Sequence, residues 1–397
     1  MIAIRGGRLL TPAETIENGT ILIDRGRIAA IGADVDVPTD AETIDAAGKV
    51  VMPGMIDAHC HTGIFADGVG WGHSDGNEMT DPIMPHLRAI DAIHPEDLAF
   101  EDLRAAGITT IGTGPGSGNL IGGQTAVIKT RGRTIEEMLV QAPAGMKMAL
   151  GENPKRVYGE QKKTPSTRMG NAGKLREWLT KAADYEAKKA RHAKKLADFE
   201  AGVEDAKEPD PFESDLRLEA IGMVLRKEIP AHIHAHRADD IMTALRIVEE
   251  FDFNCVLIHA TEGYKIADIN AERGIPCVPG PVLISRVKYE LRGLSPRNAG
   301  ALSNAGVKVA IQTDEFSAVR YLTLNAALAT SEGMDEAEAL RAITLTPAEV
   351  LGVADRVGSL EVGKDADILI LSAHPFDIAR CRVERVLIEG ETIHQVT

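Results

Sequence analysis

Alternating strand and helix patterns between residues 50 and 313 constrain the fold of this chain most strongly. Apolar strand candidates lie at 50–56, 108–112, 125–129, 146–151, 230–235, 254–259, 276–278 and 307–313. Helical patterns separate several of them and include 95–106, 238–250, 264–272 and 322–330. This alternation predicts a parallel sheet, and about eight units over roughly 300 residues favour closure into a (β/α)8 barrel. A doubly wound open sheet is the alternative, but no Gly-x-Gly-x-x-Gly follows the first strand.

The two ends of the chain have a different sequence pattern from the middle. Short alternating strands separated by Gly, Asn and Asp fill residues 1–52 and return in 356–397. Because chain termini tend to lie close together, we expect both ends to form one small β-sandwich beside a barrel domain at 53–355. The predicted fold class is therefore α/β, a TIM barrel with a composite β-sandwich.

A helical insertion at 171–211 interrupts the barrel pattern. It is rich in Ala, Lys, Glu and Asp, and the prolines at 209 and 211 end it. A solvated helix with many opposite-charge pairs is the plain interpretation. A more specific interpretation is that the insertion is a lid or a dimerisation arm. The second of these would make the protein a homo-oligomer.

Charge and composition exclude some classes of partner. The chain has 397 residues, with 44 Lys plus Arg against 59 Asp plus Glu, a net charge of −15. Nucleic acids and anionic membranes need a basic face, so we expect a small-molecule substrate instead. No apolar run is long enough to span a membrane, no leader pattern follows Met1, and the four cysteines are scattered. These features favour a cytoplasmic protein with free thiols.

Histidines stand at the ends of three predicted strands. His59 and His61 follow the strand at 50–56 and lie on one face, because side chains alternate along a strand. His232, His234 and His236 alternate along the strand at 230–235, and neutral imidazoles are costly to bury without partners. His259 ends the strand at 254–259.

A carboxylate completes this pattern. Asp314 follows the strand at 307–313, and catalytic residues of barrels gather at the carboxyl ends of several strands. Nitrogen ligands with one carboxylate suit zinc or a similar divalent ion. The number of ligands is enough for two ions. A coordinated water would then become the nucleophile, and Asp314 could accept its proton.

Two ions would need a bridging anion, and three residues could supply it. Lys147 lies early in the strand at 146–151 and could be carboxylated by carbon dioxide, whereas Glu152 follows the same strand and could ligate unaided. Lys129, at the end of 125–129, is the third option. These residue patterns do not choose among the three.

The chain resembles the amidohydrolase superfamily, in particular its imidazolonepropionase-like and prolidase-like branch. At the front, Ala47 to His61 is similar to the family's first barrel strand and metal motif. At the back, 342–349 and 358–367 are similar to the last barrel helix and the return to the sandwich. The resemblance implies a (β/α)8 barrel with a composite β-sandwich.

The resemblance also implies roles for individual residues. His59 and His61 match the first-strand metal ligands, and Asp314 matches the eighth-strand Asp that binds metal and moves the proton. The fifth-strand ligand falls best on His234, with His236 as alternative or substrate contact, and His259 matches the sixth-strand ligand. Lys147 falls where relatives carry a carboxylated lysine. Glu152 departs from the family's glycines, which keeps it as an alternative, and the three-histidine strand and long insertion are also unlike better-known members.

These observations lead to three hypotheses about function. The first is a metal-dependent hydrolase of an amide, cyclic amide or dipeptide-like C–N bond, with one or two zinc ions and with His236 assisting at the oxyanion. The second is a deaminase on the same scaffold with one metal, and the third is a non-catalytic binding protein. Four polar residues are candidates for substrate contact: Arg156, Tyr158, Arg168 and Tyr264.

Overall fold

The computed structural model of the chain describes residues 1–12, 14–65, 67, 72 and 74–396. Within these ranges the strands form two sheets, and helices surround the second sheet. No helix in the described part is both long and apolar enough to cross a bilayer.

The strands of the described residues are, in chain order, β1 (Ile2–Leu10), β2 (Thr15–Asp24), β3 (Arg27–Gly32), β4 (Glu42–Asp45), β5 (Val50–Pro53), β6 (Met55–Cys60), β7 (Ile108–Thr113), β8 (Ile121–Lys129), β9 (Leu139–Ala149), β10 (Ala231–Ala235), β11 (Cys255–His259), β12 (Cys277–Pro279), β13 (Ile368–Leu371), β14 (Val383–Ile388) and β15 (Glu391–Gln395).

The first sheet combines both ends of the chain. Its order is β15-β14-β13-β5-β1-β2-β3, with β4 paired to β1. The central contact is antiparallel pairing of β13 with β5, which joins the C-terminal strands to the N-terminal ones. Aliphatic side chains such as Ile4, Leu9, Ile21 and Ile368 form its own buried core. The composite sheet is therefore present, while the exact domain boundaries at 52/53 and 355/356 stay a prediction.

The second sheet has the order β12-β11-β10-β9-β8-β7-β6 and forms the barrel wall. Four of its six neighbouring pairs are parallel, but β8 runs antiparallel to both β7 and β9. Only residues 114–120 connect β7 to β8, and a parallel crossover needs about a dozen residues or more. The expectation of an all-parallel sheet is corrected at this strand.

Residues 309–314 close the barrel between β12 and β6 without forming a regular strand. Ala310 N–H donates to Cys277 O and Gln312 N–H donates to Pro279 O on one side. On the other side Asp314 N–H donates to His59 O at 3.3 Å. The barrel with its composite β-sheet confirms the predicted fold class.

The helices of the described residues are α1 (Ala99–Ala105), α2 (Ile135–Met138), α3 (Glu152–Glu160), α4 (Arg168–Glu200), α5 (Leu216–Leu225), α6 (Ala238–Phe251), α7 (Ala267–Glu272), α8 (Asn298–Asn304), α9 (Leu322–Ser331), α10 (Glu336–Arg341) and α11 (Leu345–Val350). The long insertion is α4, which begins three residues before the predicted start of the insertion. The Thr167 hydroxyl caps it by accepting from Gly170 N–H.

Candidate metal centre

His59 and His61 lie at the carboxyl end of β6 and face the barrel interior. The His61 Nδ1–H donates to Gly114 O at 2.8 Å, because a carbonyl oxygen can only accept. This bond leaves the His61 Nε2 lone pair free to point at the centre, as in histidines that ligate metals. The two imidazole rings meet edge to face at 5.0 Å.

Asp57 links strand β6, which carries it, to the segment 309–314 that closes the barrel. Its carboxylate accepts from His59 N–H at 3.0 Å, from Thr313 N–H at 3.1 Å and from the Thr313 hydroxyl at 2.7 Å. Burial raises the pKa of Asp57 to about 7, although these three donors oppose the shift. Sequence reasoning did not single out Asp57; its signal is a carboxylate inside an otherwise apolar buried strand.

Asp314 is the point where three imidazoles converge. Its Oδ1 lies 3.4 Å from His59 Nε2, 3.3 Å from His61 Nε2 and 3.8 Å from His259 Nε2. Burial alone would raise the pKa of Asp314, but the imidazoles outweigh it and hold that pKa well below its usual range. The carboxylate is therefore a proton-free acceptor aimed at the centre.

Backbone strain coincides with two of these residues. His259 has φ +68° and Asp314 has φ +56°, in the left-handed region that non-glycine residues rarely adopt. Such conformations cost on the order of 1–3 kcal/mol each and persist where the surroundings over-determine them. Here the His259 Nδ1–H donates to Gly280 O at 2.8 Å, which fixes the ring in the orientation that turns Nε2 towards Asp314.

Lys147 enters the same group of side chains from β9. It is 1% exposed, and its Nζ lies 2.9 Å from His59 Nε2. Burial lowers the pKa of Lys147 to about 8. Among the three candidates for a bridging residue, Lys147 is thus the one whose side chain contacts a centre histidine.

The other two candidates have different surroundings. Lys129 Nζ lies 2.5 Å from Asp367 Oδ2 and 3.1 Å from Asp365 Oδ2, so its charge is already paired at the boundary with the first sheet. Glu152 is the first residue of α3, where its N–H donates to Glu290 Oε2 at 2.9 Å. In the described part of the chain, no contact of the Glu152 carboxylate with the histidines is found.

The two histidines of β10 and His236, which follows it, are all buried, and several of their nitrogens lack partners. His234 has no hydrogen bond at either ring nitrogen, and His236 has none at Nε2, within the residues that the structure describes. His236 Nδ1 is 2.7 Å from the Thr261 hydroxyl. An unsatisfied buried imidazole is expensive unless it meets an ion or a ligand.

His232 lies one layer deeper in the barrel. Burial lowers its pKa to about 4, so it is neutral. A Cβ at Gly145 on the adjacent strand would come within 2.6 Å of the His232 ring, so the glycine makes room for it. His232 is therefore packed below the rim, whereas His234 and His236 lie higher along the same strand.

Two sets of possible ligand atoms result. Atoms of His234, His236 and His259 lie within 4.8 Å of one another, and so do atoms of His59, His259 and Asp314. These neutral nitrogens and one carboxylate are the donor set that zinc-like divalent cations prefer. The unpartnered nitrogens on His234 and His236 fit the same interpretation, so the residues present suit a divalent metal centre.

Glu290 also borders the centre and was missed by the sequence analysis. Its Oε1 lies 3.6 Å from His236 Nε2 and 3.9 Å from His234 Nε2, and its side chain is 0% exposed. Lys288 Nζ approaches the same oxygen at 2.8 Å. Burial would raise the pKa of Glu290, but His236 and Lys288 hold it below its usual value. The residue lies in a single 3-10 turn, Tyr289–Leu291, after β12, which is too short to show a periodic pattern in the sequence.

The four predicted substrate contacts have separate surroundings. Tyr158 is fully buried and donates its hydroxyl to Asn119 at 2.5 Å, and Arg168 Nε contacts both oxygens of buried Asp240 at 3.0 Å. Arg156 is exposed on α3, and Tyr264 N–H donates to Asn298. None of the four has a contact with the centre histidines among the described residues, so their roles stay predictions.

Comparison with known proteins identifies the family and the fold of this chain. A sequence profile of the Amidohydrolase family matches residues 50–393. The crystal structure of an amidohydrolase from Thermotoga maritima MSB8 is 44% identical, covers 100% of both chains and has a TM-score of 0.93. Amidohydrolase tasK of Hapsidospora irregularis is 28% identical over 94% of this chain, which spans only 39% of that relative's length.

Two further curated relatives have different activities in their names. A 5-methylthioadenosine/S-adenosylhomocysteine deaminase of Halobacterium salinarum is 26% identical and covers 93% of this chain and 84% of the relative. An imidazolonepropionase of Symbiobacterium thermophilum is 25% identical, with 98% and 93% covered. The predicted resemblance is confirmed, and the chain belongs to the amidohydrolase family.

Proposed function

We propose that this chain is a divalent-metal-dependent hydrolase that cleaves a carbon–nitrogen bond in an amide, cyclic amide or dipeptide-like small molecule. The observation that carries the proposal is the convergence of three imidazole nitrogens within 3.8 Å of the Asp314 carboxylate, with Lys147 in contact with one of them. Family membership supports hydrolytic chemistry, while the substrate is part of the proposal.

Six residues would hold the metal. They are His59, His61, Lys147, His234, His259 and Asp314. When bound, one or two zinc-like cations would supply Lewis acidity that lowers the pKa of a water molecule and polarises a carbonyl. We assign His234 rather than His236 to the ligand set because His234 has no partner at either nitrogen among the described residues, whereas His236 contacts Thr261.

Lys147 would act as the bridging residue after carboxylation. Addition of carbon dioxide to its neutral amine, with loss of one proton, converts one nitrogen donor into a carbamate with two oxygen donors. The buried position of Lys147, without a carboxylate partner at ion-pair distance in the described residues, favours this role over that of Lys129. Glu152 stays the alternative because it begins the helix directly after the same strand.

Asp314 would move the proton of the reaction. Its Oδ1 faces the centre and is held as an anion, so it can accept a proton from the attacking water. The same oxygen can then donate that proton to the leaving nitrogen. His236 Nε2, unpartnered and adjacent to Glu290, would donate to the developing oxyanion if the Glu290 carboxylate favours the Nε2–H tautomer.

A deaminase is the second candidate. Its support is the similarity to a curated deaminase over 93% of this chain. A single ion held by His59, His259 and Asp314 would suffice for it, and Lys147 would then have no bridging role. The location of the protein is also part of the proposal: free thiols at Cys60, Cys255, Cys277 and Cys381 favour a reducing compartment such as the cytoplasm.

Two measurements on the purified chain test the proposal. Elemental analysis should find between one and two equivalents of zinc or a similar metal, and less than about one equivalent without rescue by added zinc would contradict both enzymatic candidates. A panel of N-acyl amino acids, dipeptides, cyclic amides and aminopurines should then be assayed for product. Amine release or ring opening supports the hydrolase, whereas ammonia release from an aminopurine alone supports the deaminase. Asp314→Asn, which cannot accept the proton, is the matched inactive control.

A further inference from the structure

The second half of helix α4, residues 186–200, projects from the body of the protein and is called the arm below. The buried residues of α4 end at Tyr185, so every described arm residue is exposed or half-buried. Fifteen residues of helix extend about 22 Å. The arm is nevertheless held in place, because His192 Nε2–H donates to Asp210 O at 2.8 Å and the Phe212 ring lies 5.4 Å from the His192 ring. It is a preformed element rather than a loose tail.

The middle of the arm is basic on a strongly acidic protein, between Glu186 at its start and Asp198 and Glu200 at its end. Residues 187–197 contain five Lys or Arg and no Asp or Glu, in a chain of net charge −15. Lys189 pairs with Glu219 at 2.6 Å. Four further cations have no ion pair within the described residues: Lys188, Arg191, Lys194 and Lys195. Acids of the arm and of the returning segment line a groove beside three of these cations: Asp198, Asp205, Glu208 and Asp210. These exposed cations make the arm a candidate to bind an anionic surface.

The tip of the arm is also apolar. Leu196 is 37% exposed, Phe199 is 40% exposed and Val203, just after the helix, is 52% exposed. A purely solvated helix would not place three large apolar side chains in water at its end. Apolar contacts surrounded by charges are the usual composition of a protein–protein interface.

A complementary surface exists on the same chain. Residues 28–48 contain five Asp or Glu and no Lys or Arg. Asp34, Asp36, Asp40 and Glu42 are exposed and have no ion pair in the described structure. The stretch from Asp34 to Glu42, called the acidic edge below, follows β3, the terminal strand of the first sheet. Half-buried Val35 and Val37 between these acids offer apolar contact for the arm tip.

We propose that the arm of one chain docks on the acidic edge of a second copy, and that a two-fold axis makes this contact twice. A two-fold arrangement satisfies both patches of both chains and closes the assembly, whereas a single head-to-tail contact would continue into a filament. A polyanion such as RNA fits less well, because the net charge of −15 would repel it from the body of the protein. The interaction is independent of the metal centre.

Sedimentation velocity of the purified wild-type chain tests the proposal first. The expected result is a species of twice the chain mass at about 0.05 M salt, with dissociation favoured at about 0.5 M salt because exposed charges are screened. A monomer at all concentrations and both salt levels would overturn the proposal. Larger open-ended species would overturn the two-fold arrangement.

Charge reversal identifies the surfaces. The arm variant combines Lys188→Glu, Arg191→Glu, Lys194→Glu and Lys195→Glu, and the edge variant combines Asp34→Lys, Asp36→Lys, Asp40→Lys and Glu42→Lys. Each variant alone should weaken the dimer at least ~100-fold, because like charges now face each other. Mixing the two variants should restore a heterodimer. In one of its two contacts the reversed arm meets the reversed edge, and in the other the unchanged arm meets the unchanged edge. Failure of the mixture to associate would show that the arm does not dock on the acidic edge.

Two controls separate this pairing from general effects. A variant with four reversed cations elsewhere on the surface should still dimerise: Lys162→Glu, Lys163→Glu, Arg246→Glu and Arg382→Glu. If it dissociates as strongly as the arm variant, net charge alone explains the result and the proposal fails. Should the arm variant unfold by circular dichroism, the four corresponding Gln substitutions keep the helix and must still weaken the dimer.

Discussion

Two buried lysines on neighbouring strands of the barrel have opposite surroundings. Lys129 at the end of β8 is 3% exposed and contacts Asp367 and Asp365, and Arg356 Nη2 also contacts Asp365 at 2.9 Å. Lys147 on β9 is 1% exposed and contacts an imidazole, with no carboxylate at ion-pair distance in the described residues. A paired buried lysine holds two sheets together, whereas an unpaired one is available for chemistry.

The same contrast extends to the groups around each lysine. Around Lys129 the acceptors are satisfied: Asp367 Oδ1 also accepts from Glu389 N–H at 3.0 Å. Around Lys147 the imidazoles of His232, His234 and His236 have unpartnered nitrogens, and two residues of the rim have positive φ. Incomplete hydrogen bonding and strain therefore support the proposal that the rim is the functional end of the barrel.

The largest expected effect comes from Lys147→Met. Methionine keeps the length and apolar stem but offers no amine, so we expect the activity to fall at least ~10³-fold and one metal equivalent to be lost. The free energy of unfolding of the metal-free protein should not fall, because no buried charge loses a partner. Elemental analysis and urea denaturation measure both. Full metal content with activity within about tenfold of wild type would contradict the bridging role.

Lys129→Met should have the opposite effects: a less stable protein with unchanged metal content. It leaves Asp367 buried without a cation, which we expect to cost about 3–5 kcal/mol of unfolding free energy. Metal content per folded chain should not change. Urea denaturation of Lys129→Met and of the double variant Lys129→Met/Asp367→Asn tests whether the unpaired Asp367 charge is the cause. The second substitution removes that charge, so it should recover much of the lost unfolding free energy. No recovery would mean that packing rather than charge is responsible.

Gly145→Ala probes the layer below the centre. The added Cβ would lie 2.6 Å from the His232 ring, and overpacking of this kind costs roughly 1–3 kcal/mol. The loss should show as a lower melting temperature by calorimetry. Gly145→Ala combined with His232→Ala should be more stable than the sum of the two single changes predicts, and strict additivity would argue against a direct clash.

Glu290→Gln is expected to have the smallest effect. The amide keeps the shape and the bond to Glu152 N–H but removes the charge beside His236, so kcat should fall about tenfold while metal content stays the same. Comparison with Lys288→Met separates the carboxylate from its neighbour, because loss of Lys288 should leave the charge of Glu290 and most of kcat. Loss of metal in Glu290→Gln would instead indicate that Glu290 is itself a ligand.

Sequence patterns predicted much of the architecture because they are local. The predicted helix at 238–250 matches α6, and the predicted strands at 254–259 and 276–278 match β11 and β12 to within one residue. The direction of β8 was wrong, because strand direction depends on the length of the connections and not on the strand's own residues. Glu290 was missed for a related reason: a carboxylate in a single 3-10 turn has no periodicity, and only the folded chain brings it to His236.

The sequence by itself determined the residue types at the barrel rim and the strand ends that carry them, because side-chain alternation and β-α order are properties of short segments. It also determined the family, through motifs at both ends of the chain. Only the tertiary structure separated Lys147 from Lys129, because the two lysines look alike in their strands and differ only in which distant side chains they meet. Charge pairing between residues more than 200 positions apart is decided by the closed barrel and not by any local pattern.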